Sequence, residues 1–209
     1  MVTHRSAAKS IRWLHSHRAD YYVKRAFKKH LRSRSWFKLA NLQFTDSLFK
    51  PGISVVDLGS APGGWSKYVV NKVGKNGFVI ACDILPMKPI PRVYFLQGDL
   101  NDNKVIKILY NLLNNKKVQV ILSDMSPNIS GKSEIDIPRS IHLGELVIHI
   151  CANILEVGGY LVLKIFQGEG FEKYLCCIRS LFTKVEIRKP DASRLSSREV
   201  YIVAKGYKI

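Results

Sequence analysis

The sequence predicts an α/β fold, a mostly parallel sheet of seven strands with helices on both of its faces. Three observations predict it. Short β-branched runs alternate along residues 53–204 with segments whose apolar residues recur at three- and four-residue steps. Glycines punctuate the joins. Four of the runs end at or just before an aspartate, on the side where an open parallel sheet gathers its loops and binds ligands.

Residues 5–50 read as helical and basic, ending near Lys50-Pro51-Gly52, where proline and glycine stop a helix. The first strand, residues 53–57, is followed by a glycine loop and a helix over 65–73 that stops at Gly74. The second strand, 77–82, runs into Asp83, and the third, 93–96, leads to Gly98-Asp99 and a helical stretch closing near Asn114. The fourth, 118–122, ends at Asp124. Residues 138–155 carry two apolar stripes, one through Ile141, Ile148 and Leu155 and one through Leu143, Val147, Ile150 and Ile154, which predicts a helix buried over a broad face. Residues 159–165 form the fifth strand, 171–181 a further helix, and 184–188 and 199–204 the last two strands. No repeat or low-complexity linker divides the chain. The expected organisation is a basic helical extension over 1–50 packed on a domain over 51–209, one structural unit.

With 209 residues, 46% of them hydrophobic, the chain can bury a core, which excludes wholesale disorder. No apolar run approaches the ~18 residues of a membrane span. The basic start lacks the apolar centre of a secretory signal, so a soluble cytoplasmic protein is the expectation, and as nothing argues against one, a monomer. Cys82, Cys151, Cys176 and Cys177 have neither zinc nor disulfide spacing and read as buried free thiols. No histidine set has metal-ligand spacing, and no metal is expected. The charge says more. Lysine and arginine exceed aspartate and glutamate by 17, and residues 1–50 alone hold twelve basic residues against two acids. A segment without acids to pair is tolerated when a polyanion is its partner, and nucleic acid is the expected one. Against that background Asp57, Asp83, Asp99 and Asp124, at four strand ends, predict one acid-lined cleft for a cationic or hydroxyl-rich small ligand.

The loop Asp57-Leu-Gly-Ser-Ala-Pro-Gly-Gly-Trp65 narrows that ligand. A dinucleotide fingerprint counted from Gly59 requires glycine where Ala61 stands, so the residue that admits a pyrophosphate is missing. Gly131-Lys-Ser133 hints at a triphosphate loop, but its earlier glycine falls on Ser126. Both phosphate readings fail.

Asp57-Leu-Gly-x-x-Pro-Gly-Gly-Trp65 resembles the first motif of the FtsJ/RrmJ family of S-adenosylmethionine-dependent ribose 2′-O-methyltransferases. The resemblance extends, in the family's order, through Ser35-Trp-Phe-Lys38-Leu, Ser123-Asp124-Met-Ser-Pro-Asn128, Leu163-Lys164-Ile-Phe-Gln-Gly168 and Ser196-Ser-Arg-Glu199-Val-Tyr201. In its shortness the chain resembles the bacterial type. The resemblance implies a Rossmann-like methyltransferase fold, S-adenosylmethionine as cofactor, and methylation of a uridine 2′-hydroxyl in 23S ribosomal RNA of the large subunit. The residues by themselves support a nucleic-acid 2′-O-methyltransferase. Transfer RNA or an mRNA cap is the alternative substrate, and a non-catalytic RNA-binding ribosome-assembly factor the alternative class.

By the same resemblance Lys38, Asp124, Lys164 and Glu199 form a catalytic tetrad. Methyl transfer from a sulfonium needs oxygen, carbon and sulfur aligned and one proton managed. An ordinary lysine is protonated at neutral pH, but burial and a neighbouring cation lower its pKa, and Lys164 sits in the apolar run Leu-Val-Leu-Lys-Ile-Phe. Lys164 is the expected proton acceptor, with orientation of an oxygen lone pair as the competing role. Lys38 either lowers the Lys164 pKa or holds the substrate oxygen, while Asp124 and Glu199 orient the two amines. Gly63 and Trp65 are expected beside the methionine and sulfonium end of the cofactor, Asp83 at its nucleoside and Asp99 at its adenine amino group, with Asp124 in the same pocket. Asp57 reads first as structural, bonding backbone N–H groups of the glycine loop.

Arg5, Lys9, Arg12, Arg18, Lys24, Arg25, Lys28, Lys29, Arg32 and Arg34 supply the expected phosphate footprint, with Arg194 and Arg198 extending it. Of the aromatics among them, Trp13, Tyr21, Tyr22, Phe27 and Trp36, most read as core; Tyr201 is the distant aromatic expected to meet a nucleotide.

Overall fold

The computed structural model describes residues 21–194 and 196–209, so Arg5, Lys9, Arg12, Trp13 and Arg18 of the basic segment lie outside the described residues. The described chain runs α1 (Tyr21–Lys28), α2 (Ser35–Asp46), β1 (Ser54–Leu58), α3 (Gly64–Val73), β2 (Phe78–Asp83), β3 (Val93–Gln97), α4 (Asn103–Leu113) and β4 (Val118–Ser123). It continues through α5 (Ser133–Ile154), β5 (Leu155–Phe166), α6 (Phe171–Leu181), β6 (Phe182–Arg188) and β7 (Glu199–Tyr207). The strands form one seven-stranded sheet in the order β3-β2-β1-β4-β5-β7-β6. Neighbours from β3 to β5 are parallel, and β7 runs antiparallel between β5 and β6. The strand order reverses between β1 and β4, where the following loops part and leave a crevice. This is the expected mostly parallel α/β fold.

Strand residues alternate between two cores, as a two-residue period demands. Val55, Val79, Val120, Val162 and Val203 pack with Leu39 and Leu42 of α2 and Trp65 and Val69 of α3. Val56, Ile80, Ile121, Leu161 and Ala204 pack instead with Leu109 of α4, Val147 and Ile150 of α5 and Ile178 of α6. Each fully buried aliphatic side chain contributes about 1.5–3 kcal/mol. With both faces covered, the strands need no polar alternation, which is why they stand out as unbroken apolar runs.

Four local expectations are corrected. The basic segment is not one continuous helix. His30 adopts φ +52°, the Leu31 N–H donates to the Ala26 carbonyl and the His30 N–H to that of Phe27, a paired closure that ends α1 before the turn into α2. Helix α5 begins at Ser133 rather than 138, and Pro138 lies inside it. Its start is fixed by Asp136, whose carboxylate accepts from the N–H groups of Ser130 and Gly131 at 2.8 and 2.9 Å. Strand β5 begins at Leu155 and shifts register before Tyr160, across Gly158 and Gly159. Cys82 and Cys151 are buried as expected, but Cys176 and Cys177 are exposed on α6. Tyr22 and Trp36 pack around Phe37, whereas Tyr21 and Phe27 face solvent.

Candidate active site

The site begins where β1 and β4 end. Gly59 (φ +73°) lies so close to β4 that a Cβ there would stand 2.7 Å from the Met125 backbone nitrogen, so no larger residue fits. The Asp124 N–H donates to the Leu58 carbonyl at 3.0 Å, and the N–H groups of Gly59 and Ser60 donate to the Cys82 carbonyl. The glycine loop is thereby folded across the end of β2. Asp83 fixes it there, accepting from the Ala61 N–H at Oδ2 and from the Leu85 N–H at Oδ1, both at 2.8 Å. A cleft of about 780 Å³ opens beyond, lined by Gly59, Ala61, Asp83, Asp99 and Asp124, with Leu100, Met125 and Pro127 as apolar wall. The Oδ1 of Asp99 accepts from both nitrogens of Asn101 at 2.9 Å, which leaves Oδ2 for a further donor. An apolar slot rimmed by three carboxylates suits a flat heterocycle with an amino group, a diol and a cationic centre.

At the Asp124 end a line of five residues is joined by hydrogen bonds. Lys38 Nζ donates to Glu199 Oε1 at 2.5 Å and to the Tyr201 hydroxyl at 3.2 Å. That hydroxyl donates to Asp124 Oδ1 at 2.8 Å. Lys164 Nζ donates to the Asp124 carbonyl at 2.5 Å and stands 3.1 Å from Oδ1 of the same residue. Strand register brings them together. The antiparallel ladder pairs Lys164 with Tyr201 and Phe166 with Glu199, so Glu199 and Tyr201, two residues apart, share the face of Lys164. Lys38 and Lys164 are 8% and 9% exposed, a burial that ammonium groups without paired carboxylates would not tolerate. Ser193 adds a hydroxyl donor to Glu199 at 2.8 Å. Burial, and then the Asp124 and Glu199 carboxylates, push the Tyr201 phenol well above its ordinary pKa, so it remains a donor across the neutral range.

The structure thus brings Lys38, Asp124, Lys164 and Glu199 together and places Asp83, Asp99 and Asp124 on one cleft. It places other expected residues elsewhere. Gly63 and Trp65 do not line the cleft. A Cβ at Gly63 would meet Met87 Sδ at 2.7 Å, and the buried Trp65 gives its Nε1–H to the Ser35 carbonyl at 2.8 Å. The cleft side of the loop is formed by Gly59 and Ala61 instead. Asp57 is structural, as first read, but its hydrogen-bond partner is Ser66 of α3 and not the backbone of the glycine loop. Wholly buried, it accepts from the Ser66 hydroxyl at 2.5 Å, and its Oδ1 has no partner. Desolvation, offset only in part by the Ser66 bond, raises its pKa to about 7. Tyr201 cannot stack on a nucleotide, being fully buried with its ring 5.7 Å from that of Trp65. Sequence reasoning misses its bridging role, although the two-residue spacing from Glu199 on an apolar strand is a signal for it.

The family model for FtsJ-like methyltransferases matches residues 31–207. Among solved structures the chain is similar to a protein named as a ribosomal RNA methyltransferase of Plasmodium falciparum, at 28% identity and a TM-score of 0.76, over 84% of this chain and 98% of that one. A protein named as an rRNA methylase of Clostridium thermocellum shares the fold at 16% identity and a TM-score of 0.54, over 81% of this chain and 97% of that one. So does the fibrillarin pre-rRNA processing protein of Methanococcus jannaschii, at 16% identity and a TM-score of 0.57, over 85% and 78%.

Proposed function

The chain belongs to the FtsJ-like methyltransferase family, and from that premise we propose that it transfers the methyl group of S-adenosylmethionine to the ribose 2′-hydroxyl of a uridine in 23S ribosomal RNA of the large subunit. The observation that carries this reading is the hydrogen-bonded line from Glu199 through Lys38, Tyr201 and Asp124 to Lys164, set at the end of an acid-rimmed cleft. The similarity to a protein named as a ribosomal RNA methyltransferase supports ribosomal RNA as the substrate. An excess of 17 positive charges supports a polyanion. The donor set fits the cofactor. The open Oδ2 of Asp99 suits an adenine amino group, Asp83 a ribose diol, and the close backbone approach at Gly59 keeps side chains out from between the two strand ends.

When bound, the cofactor supplies a methyl group on a sulfonium, activated for in-line displacement. The chain's own residues manage the proton. Lys164 Nζ donates to the Asp124 carbonyl at 2.5 Å and stands 3.1 Å from its carboxylate, which fixes the direction of the amine. Lys164 would accept the proton that the reacting 2′-hydroxyl gives up. Asp124 orients the amine, Tyr201 holds Asp124, and Lys38, held by Glu199, positions the substrate oxygen.

With methyl-tritiated cofactor, wild type is expected to label large-subunit RNA, and Lys164→Ala to abolish labelling while calorimetric cofactor affinity stays within about twofold. Stronger labelling of transfer RNA would reject the substrate. A joint loss of affinity and activity would reject the role of Lys164.

A further inference from the structure

We propose that Arg32 is a positioning residue of the cofactor cleft and not an RNA contact. In the sequence it is one more cation after Lys28 and Lys29. In the structure its guanidinium is committed inward. Nη1 donates to the Pro62 carbonyl at 3.1 Å and to the Lys88 carbonyl at 2.6 Å, and Nη2 to the Pro89 carbonyl at 2.8 Å. Pro62 belongs to the glycine loop, Lys88 and Pro89 to the segment after β2. Ala61 of the first loop and Ile84 and Leu85 of the second line the cleft.

Three carbonyls from two loops therefore meet one planar cation. A guanidinium offers five N–H donors in a fixed plane and stays charged at any working pH, which suits it to such a cluster where an ammonium is not suited. Asp83 does the complementary work, collecting N–H groups of the same two loops at Ala61 and Leu85. One carboxylate and one guanidinium thus tie the loops together. The stem of Arg32 passes over Gly63, where a Cβ would stand 3.1 Å from its Cδ, so the glycine at φ +98° lets loop, stem and Met87 meet at one point. This assigns Gly63 a role behind the cleft, consistent with its absence from the lining.

The inference rests on the reading of this cleft as the S-adenosylmethionine site, and the test separates the two. Calorimetry with S-adenosylmethionine is run on wild type, Asp83→Ala, Arg32→Ala, Arg32→Lys and Lys28→Ala, beside RNA-binding titrations against salt. Arg32→Ala is expected to weaken cofactor affinity about tenfold. Its cofactor KM rises while kcat at saturation holds, and the salt slope of RNA binding matches wild type. Arg32→Lys restores little of the affinity. Lys28→Ala does the reverse of Arg32→Ala, lowering the slope by about 0.7 and leaving cofactor affinity alone. Unchanged cofactor affinity in Arg32→Ala, or a salt slope reduced as in Lys28→Ala, overturns the inference. Absence of binding by wild type, or full binding by Asp83→Ala, overturns the reading of the cleft instead. Should Arg32→Ala fail to fold, Arg32→Gln keeps most of the stem over Gly63 and is held to the same outcomes.

Discussion

Tyr201 joins the two halves of the candidate site through a single oxygen, accepting from Lys38 and donating to Asp124. Tyr201→Phe removes both bonds and leaves the ring against Trp65, while each lysine keeps its carboxylate. Single-turnover kinetics should show the methyl-transfer rate falling about 10–100-fold, with cofactor affinity within about twofold. Full activity with a lowered melting temperature would make the hydroxyl purely structural. Asp57 bears on stability. Its pKa rises from 3.8 to about 7 on folding, so between those values the folded chain holds a proton that the unfolded chain has released. The Asp57 contribution to stability is therefore greatest below pH 4, declines as pH rises toward 7 and then levels, a loss on the order of a few kcal/mol. In urea melts, Asp57→Asn should gain on wild type from pH 4 to about pH 7 and then hold that gain. A difference that does not change with pH would show the carboxylate to be as well accommodated as the acid.

At the scale of elements, the turn before α2 and the first residue of α3 are built against each other. A Cβ at Gly64 would collide with the Ser33 hydroxyl and come within 2.9 Å of that of Ser35, and these two hydroxyls bond each other at 2.6 Å. Gly64→Ala should lower stability by about 1–3 kcal/mol, and adding Ser33→Ala should recover most of it, a coupling that a double-mutant cycle measures directly. Additive effects would show that the helix shifts away without needing the serine. Neither this packing nor the break between α1 and α2 can be read from the sequence. Both depend on where one segment lands on another, and the closing residue of α1 is His30, a side chain with no turn signature. The strands are legible for the opposite reason: burial on both faces writes itself as β-branched runs. Helix α5 is legible in its apolar stripes but not at its start, where Pro138 reads as a first-turn residue and the fixing bonds are made backward by Asp136.

For the whole molecule the sequence separates two signs of charge, acids at strand ends and bases before residue 50, and the fold keeps that separation. Three of the four aspartates reach one cleft. The fourth, Asp57, lies one residue inside β1 and points into the core beneath it, a difference that only the pleat decides. Which side of the glycine loop faces the ligand is equally hidden, since Gly59 and Gly63 are alike in sequence and opposite in place. On the basic side, α1 packs through Ala26 against Phe37 and Ala192, which sets it beside the segment that carries Arg194, Arg198 and Glu199. Lys24, Lys28 and Lys29 stand exposed there. RNA lying across this face would have its phosphates on α1 and its reacting ribose near Lys164. Replacing all three lysines by glutamate should then weaken RNA binding and reduce the log–log salt slope by about 2, since each phosphate neutralised on a single strand accounts for about 0.7. Cofactor affinity, which the proposed function assigns to Asp83 and Asp99 in the cleft, should not change. A slope equal to that of wild type would take α1 out of the interface and leave RNA binding to the cations around Arg198.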